Sequence, residues 1–440
     1  MKNLYLNTRL FLLLFAVMVC YVLAFFFPRF IWVAHGVLIL VILASIMDYV
    51  LLFYKKEAIQ AHRVLSEKLS NGDENAVEVS IKNNYPFKIN AKTIDELPFQ
   101  FQKRDFLIER NIDSKKDIAF EYILEPKERG EYLFGGLNVF ANSPIGLISR
   151  RFSFQKDAML PSYPSFIHLG KYELIALQNE FLLGGLKKIR RLGQTMEFEQ
   201  IKEYVQGDDV RTINWKATSK HNQLMVNQYQ DERAQRVYIL VDKGRTMQMP
   251  FNGLSLLDYS INATMALSHI ILKKNDRVGM MSFSKTTENK VLADNKAMQL
   301  KKISEALYNV QTNFEESDFG RLYQDIRFHV RQRSLLILFS NFETLDAVNR
   351  QMNYLRGLAK NHLLVVVFFK NAELQNLIGA DTTKMQEVYD QIIAEKLEYE
   401  KKLIIQELRK YGIHSIYTLP ENLNIEVINK YLEIKARDIL

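Results

Sequence analysis

The sequence predicts an α/β protein in several parts: an N-terminal transmembrane helical hairpin, a β-sandwich, and a doubly wound, largely parallel sheet. Three observations predict it. Two long apolar runs fill the first 54 residues, and short alternating runs split by turn residues occupy 64–154. From Arg236 onward, wholly apolar strand-length runs alternate with helix-length stretches. A chain of 440 residues also exceeds one ordinary core. The expected parts are a two-helix membrane anchor (1–63), an Ig-like β-sandwich (64–160), a linker with a charged segment (161–235) and the α/β domain (236–440).

Leu10–Phe27 is an uncharged apolar run of 18 residues, and Phe30–Tyr54 is broken by little but His35 and Asp48. Each is long enough to cross a hydrocarbon core of about 30 Å. Pro28-Arg29 leaves room only for a tight turn. Lys2 and Arg9 precede the pair, Lys55, Lys56 and Arg63 follow it, and Arg29 alone marks the far side. The positive-inside tendency then puts both termini and the soluble mass in the cytoplasm, at the inner membrane. A cleaved signal peptide would want small residues before a cleavage site, not a second apolar run. Cys20 as a lipid attachment point would want small residues where Met18 and Val19 stand. Asp48 precedes Lys55 by about 10 Å of helix and is expected to reach the headgroup region.

In the next part, Ala76–Lys82 alternates strictly and Asn83-Asn84-Tyr85-Pro86 is turn chemistry. Ile118–Leu124, Tyr132–Phe134, Leu137–Phe140 and Arg151–Phe154 continue the pattern, which predicts a β-sandwich. It holds no catalytic constellation and is expected to be a spacer or interaction module. Pro161-Ser162-Tyr163-Pro164 closes it. Residues 165–192 are expected to form a helix and a basic linker ending Lys187-Lys188-Ile189-Arg190-Arg191. A block dense in charge follows, carrying Glu197, Glu203, Asp208, Asp209, Arg211, Asn214, Trp215 and Lys216. Two readings stand for it: an internal ion-pair and capping network, or a charged surface offered to a partner.

From Arg236, strands are predicted at 237–241, 277–283, 334–339, 363–369 and 413–417. Helices are predicted at 254–273, 295–310, 319–331, 345–360, 383–411 and 422–435, with Gly412 stopping the long one. Ligands in such sheets sit beyond the carboxyl ends of the strands, where strand order reverses. Asp242 and Thr246, in the turn after the first strand, are expected there. A carboxylate with hydroxyls at close spacing suits a hard cation such as Mg²⁺.

Composition narrows the function classes. The formal charge is +8, but half of it lies in residues 1–63, where six Lys/Arg face Asp48 and Glu57 alone. The aromatics are not interleaved with cations, so no nucleic-acid partner is expected. A lone cysteine, inside the first apolar run, excludes a cysteine-based zinc site or a thiol nucleophile beyond it. The eight histidines share no ligand spacing, and there is no P-loop, His-Glu-x-x-His or Gly-x-Ser-x-Gly. An enzyme is therefore not expected. The alternative is a metal-dependent hydrolase using Asp242, or Asp208 and Asp209.

The strand ending in Asp242 and its Asp-x-Gly-x-Thr turn resemble the start of a von Willebrand factor A-like domain, whose metal-dependent adhesion site uses Asp-x-Ser-x-Ser. With Glu197-Phe198, Glu203-Tyr204, Gly207-Asp208-Asp209, Arg211 and Ile213-Asn214-Trp215-Lys216-Ala217, the chain resembles the bacterial domain of unknown function 58 family. Pro126…Arg129-Gly130 and Ser143-Pro144-Ile145-Gly146-Leu147 are similar to the β domain of such proteins. The resemblance implies a membrane-anchored adaptor beside a MoxR-type AAA+ ATPase, assisting maturation or assembly of envelope or stress-related complexes. It also implies a metal site at Asp242, Thr246 and Ser317. Gly244 stands for the middle serine of that site, and Ser340-Asn341 for a usual Thr-Asp pair. A site short of a hydroxyl and a carboxylate is expected to bind Mg²⁺ weakly or not at all. Otherwise Asp242 caps the following helix or pairs with Lys243 or Arg245.

Overall fold

The computed structural model describes residues 3–103, 106–167, 169–170, 196–206, 208, 210–221, 223–231, 234–312, 314–379 and 385–437, with backbone alone for 196–200, 221 and 228–231. The expected helix and basic run over 165–192 lie outside the described residues but for 165–167 and 169–170. The chain forms two units, Met1–Tyr163 and Pro164–Leu440.

The first unit opens with a short strand β1 (Leu4–Leu6) and the two apolar helices α1 (Thr8–Phe26) and α2 (Ile31–Phe53). Both helices are long and apolar enough to cross a membrane. Their buried positions are Leu10, Val17 and Ala24 in α1, and Ala34, Val41 and Asp48 in α2, each seven residues apart, with Leu52 four residues beyond Asp48. Such spacing keeps one narrow seam facing a neighbouring helix. The other faces are bare, with Phe25 83% and Trp32 81% exposed.

Ten strands follow: β2 (Ile59–Val64), β3 (Leu69–Ser70), β4 (Asn75–Asn83), β5 (Ile89–Asp95), β6 (Leu107–Ile112), β7 (Asp117–Leu124), β8 (Gly130–Phe134), β9 (Leu137–Asn142), β10 (Ile148–Phe154) and β11 (Ala158–Tyr163). They make sheets ordered β1-β10-β9-β5-β6, β3-β11-β8 and β2-β4-β7. β4 alternates buried and exposed positions along its length, the signature of a sheet with one face on a core. All three sheets contribute to one apolar cluster.

Three expectations change here. The boundary at 63/64 falls inside β2, and β1 pairs with β10, so the segment taken as anchor alone also supplies two strands. Arg63 does not flank a bilayer: it is 3% exposed, donates to Asp95 and lies over the Phe134 ring. Asp48 does not reach headgroups either. It is fully buried, accepting from the Leu147 and Ile148 amides at 2.8 and 2.9 Å and from the Ser143 hydroxyl.

In the second unit, a hairpin of β12 (Met196–Glu203) and β13 (Met225–Asp231) encloses the short helix α3 (Trp215–His221). Next come β14 (Arg236–Asp242), a small ribbon of β15 (Pro250–Phe251) and β16 (Leu254–Ser255), α4 (Leu256–Lys273), β17 (Arg277–Phe283) and β18 (Thr287–Asp294). α5 (Gln299–Tyr308), α6 (Phe319–His329), β19 (Leu335–Phe339), α7 (Leu345–Asn361) and β20 (Leu363–Phe369) continue the alternation. The chain closes with α8 (Ala372–Ile378), α9 (Met385–Lys410), β21 (His414–Thr418) and α10 (Leu423–Ala436). The large sheet is ordered β18-β17-β14-β19-β20-β21, parallel except for β18. Alternate residues of β14 point into two cores, Val237, Ile239 and Val241 into one, Tyr238 and Leu240 into the other. Burial on both faces explains its uninterrupted apolar run. Gly412, at φ +72°, ends α9 in the left-handed conformation that a Cβ disfavours. β18 escaped the sequence pattern because an antiparallel edge strand keeps most of its side chains partly or fully exposed.

Candidate functional site

β14 lies between β17, which follows it in the chain, and β19, which comes later, so strand order reverses at its carboxyl end. A crevice opens there in open α/β sheets, and Asp242 is the last residue of β14.

Asp242 is 2% exposed. Its Oδ1 accepts from the Gly244 amide at 2.8 Å and from the Ser317 hydroxyl; its Oδ2 accepts from the Ser340 hydroxyl at 2.6 Å. Two loops bring those hydroxyls in. Ser340 follows β19, its amide donating to the Val367 carbonyl. Ser317 sits in a loop tied down by the Arg245 amide on the Glu315 carbonyl and the Asp318 amide on the Ser284 carbonyl. Burial pushes the Asp242 carboxyl above the usual carboxylate range, while the Ser317, Ser340 and Gly244 donors pull it back.

Thr246 enters through its backbone, its carbonyl accepting from Asn341 Nδ2 at 3.3 Å. Lys243 is 7% exposed and reaches away to Glu288 at 2.7 Å, whose carboxyl that hydrogen bond lowers. The expected alternatives for Asp242 are therefore replaced: Lys243 pairs with Glu288, and the next α-helix, α4, is capped by Ser255 and Asp258. Asp242 instead closes its own turn and binds two distant loops to it. Sequence reasoning placed Ser317 and Ser340 at this turn only through the family pattern. Nothing in local periodicity brings residues 75 and 98 positions apart together.

The donor set does not fit Mg²⁺. That ion takes near-octahedral oxygen ligation, usually with one or two carboxylates and several waters. Here a single carboxylate already accepts from three protein donors, two on Oδ1 and one on Oδ2. Asn341 supplies an amide where a second carboxylate would stand. A side chain at 244 would have its Cβ against Ser317 Oγ, so the place of the middle hydroxyl is already filled. Among the described residues no three His, Cys, Asp or Glu side chains gather as metal ligands.

The charged block is built around the β12–β13 hairpin. Asp208 accepts from Lys202 Nζ at 2.9 Å and from the Val205 amide at 3.0 Å, and the amide bond leads in lowering its carboxyl. Asn214 accepts from the Ala217 amide, capping α3, and donates to Asn227 Oδ1 at 2.8 Å. These residues hold the hairpin together. Glu203, Arg211 and Lys216 are exposed, and Trp215 is 69% exposed. Asp209 and the Glu197 side chain lie outside the described residues.

Comparisons with known proteins agree with the central block. The model of a protein family of unknown function, DUF58, matches residues 200–402. The uncharacterized protein YeaD of Bacillus subtilis (strain 168) is 24% identical over 242 residues, which cover 53% of this chain and 58% of that protein. The match thus spans less than two thirds of that relative. Among solved structures, the conserved hypothetical protein BatB from Bacteroides thetaiotaomicron aligns at 14% identity with a TM-score of 0.31, over 46% of this chain and 98% of its own. PapD-like domain 7 of human CEP192 aligns at 8% identity with a TM-score of 0.19, over 25% of this chain and 87% of its own. Over residues 200–402, then, this chain carries the sequence pattern of the DUF58 family.

Proposed function

We propose that the chain is a membrane-held, non-enzymatic adaptor with its soluble mass in the cytoplasm. Its second unit acts as a von Willebrand A-like module that binds protein partners, and the strands of its first unit form a β-sandwich spacer. The partner in view is a MoxR-type AAA+ ATPase, with maturation or assembly of envelope or stress-related complexes as the outcome. One observation carries this reading: the crevice where α/β sheets hold ligands is filled by the protein's own donors to Asp242. Such a turn offers no nucleophile–base pair and no open cation cage, while it fastens three loops into one fixed surface. A rigid loop surface is what a protein partner recognises with little ordering cost.

The test is affinity purification from gently solubilised native membranes, comparing wild type with Asp242→Ala, which removes the acceptor of all three donors, and identifying the eluted proteins by mass spectrometry. An AAA+ ATPase eluting with wild type is the expected result. Loss of that ATPase from the variant would place the contact at the Asp242 loops. Its absence from both, with the chain folded, would overturn the adaptor reading.

A further inference from the structure

The helical hairpin is built into the sheets of the first unit, not merely joined to them. The Ser143–Leu147 turn between β9 and β10 is pinned to both helices. Asp48 of α2 accepts from the Leu147 and Ile148 amides at 2.8 and 2.9 Å. Just before α1, the Asn7 amide donates to the Leu147 carbonyl at 3.0 Å, and Asn7 Nδ2 to the Gly146 carbonyl at 3.1 Å. Near the end of α2, the Leu52 carbonyl accepts from Tyr85 Oη at 2.6 Å and from Arg150 Nη1 at 2.7 Å. The depth of the helices therefore fixes the depth of this turn.

Helix rise gives that depth. Between Arg9 and Arg29 the chain carries no charge. At 1.5 Å per residue the interval is about 30 Å, the thickness of a hydrocarbon core. From Ile31 to Asp48, α2 rises about 26 Å. With the two guanidiniums at opposite edges of the core, Asp48 and the Ser143–Leu147 turn come to the same edge as Arg9. Gly146 stands at that level, since a Cβ on it would lie 3.0 Å from Arg9 Nη1. The headgroup layer adds roughly 5–7 Å on each side, and the stretch Tyr49–Phe53 that remains of α2 rises through it.

The side chains at this level suit that layer. β1 pairs Leu6 with Ile148, beside the turn. Leu6 is 49% exposed, Tyr54 58%, and Tyr5 and Pro144 are exposed as well. Tyrosine favours the membrane–water boundary, where its ring meets chains and its hydroxyl meets water. Arg9 and Lys56, also exposed, offer cations to lipid phosphates. Asp48 gives the turn a reason to be there. An ionisable group at this depth is costly unless its charge is met, and the turn's amides meet it from within the protein.

We propose that the first unit binds the phospholipid headgroup layer directly, through the Ser143–Leu147 turn, β1 and Tyr54. The strands then stand at a fixed depth instead of swinging on a tether. This rests on the membrane-held reading.

The experiment uses the full chain with Cys20→Ser, which removes its single thiol, in phosphatidylcholine vesicles. Single cysteines carry an environment-sensitive fluorophore at Pro144→Cys, Leu6→Cys, Leu40→Cys and Lys156→Cys. Leu40 is 66% exposed in the middle of α2. Lys156 is exposed beyond the far end of β10, about 20 Å along the strand from Ile148. Labels at 144 and 6 should lose most of their emission to lipid carrying a nitroxide on its headgroup. The label at 40 should lose its emission to lipid with the nitroxide deep in the chain. The label at 156 should respond only to a quencher dissolved in the water. Leu6→Cys repeats the test should Pro144→Cys shift the unfolding midpoint. Quenching at 40 by the deep nitroxide, with 144 and 6 behaving like 156, would overturn the seated unit and keep the span. No deep quenching at 40 would overturn the membrane-held reading, and this inference with it.

Discussion

Asp48 and Asp242 are buried acids in different settings, one near the end of an apolar helix and one at the end of a strand. Each accepts three hydrogen bonds, yet the donors differ in kind. Asp48 takes two backbone amides, Leu147 and Ile148, and the Ser143 hydroxyl. That hydroxyl is itself committed, because its oxygen already accepts from the Ile145 and Gly146 amides. Asp242 takes one amide and two hydroxyls, and a hydroxyl can turn round and accept instead. The first acid is bolted in place by donors that have no alternative. The second is held by donors that can reverse. Both act as intramolecular staples, and the difference predicts how each tolerates replacement.

The largest effect falls on the rigid staple. Asp48→Ala leaves the buried Leu147 and Ile148 amides without an acceptor, and each such group costs about 1–3 kcal/mol. We expect a loss of roughly 3–5 kcal/mol, read as a lowered unfolding midpoint of the detergent-solubilised chain. Asp48→Asn should recover only part of it. The amide oxygen can serve the two N–H groups, but its NH₂ meets a Ser143 oxygen whose lone pairs are both in use. If Asp48→Asn proved as stable as wild type, the Ser143 hydroxyl would not be locked as described.

Neither staple was equally visible in the sequence. The strands around Asp242 were legible because burial on both faces of a parallel sheet writes itself as an apolar run. Val237–Val241 and Leu363–Phe369 need no partner to be recognised. β5, β6 and β18 were not legible: their exposed faces dilute the pattern, and Leu107–Ile112 reads Leu-Ile-Glu-Arg-Asn-Ile. Asp48 looked like a residue at a bilayer edge because its partners lie 95 to 100 positions away. No local period carries that distance. Arg63 misled for the same reason, since its partner Asp95 stands on a strand the alternation did not reveal.

A middle-sized effect tests how full the Asp242 turn is. Gly244→Ser would restore the hydroxyl of an adhesion-site turn, but its Cβ would press on Ser317 Oγ. We expect a loss of about 1–3 kcal/mol from overpacking and no calorimetric Mg²⁺ binding. Adding Ser317→Ala removes the clashing oxygen and should recover most of the stability. Tight Mg²⁺ binding by Gly244→Ser alone would mean that Ser317 gives way readily and that the turn is less closed than its hydrogen bonds indicate.

The smallest effect is the sharpest on the comparison. In Asp242→Asn the amide oxygen keeps the Gly244 and Ser317 donors, while its NH₂ faces Ser340, whose hydroxyl can turn to accept. The net change near neutral pH should stay within about 1 kcal/mol. The pH dependence has a definite sign. Burial raises the folded-state carboxyl above its ordinary value of 3.8. Between that value and the raised one, the folded chain holds a proton that the unfolded chain has released. This group therefore stabilises the fold fully below the unfolded value, and that contribution is lost as pH rises through the folded value. Asparagine holds its protons throughout, so wild type should lose stability relative to Asp242→Asn as pH climbs from about 4 toward neutrality. Denaturant titrations across that range read the difference directly. Parallel curves would mean that the three donors fully offset the burial, and that the hydroxyls of Ser317 and Ser340 hold as firmly as the amides that lock Asp48.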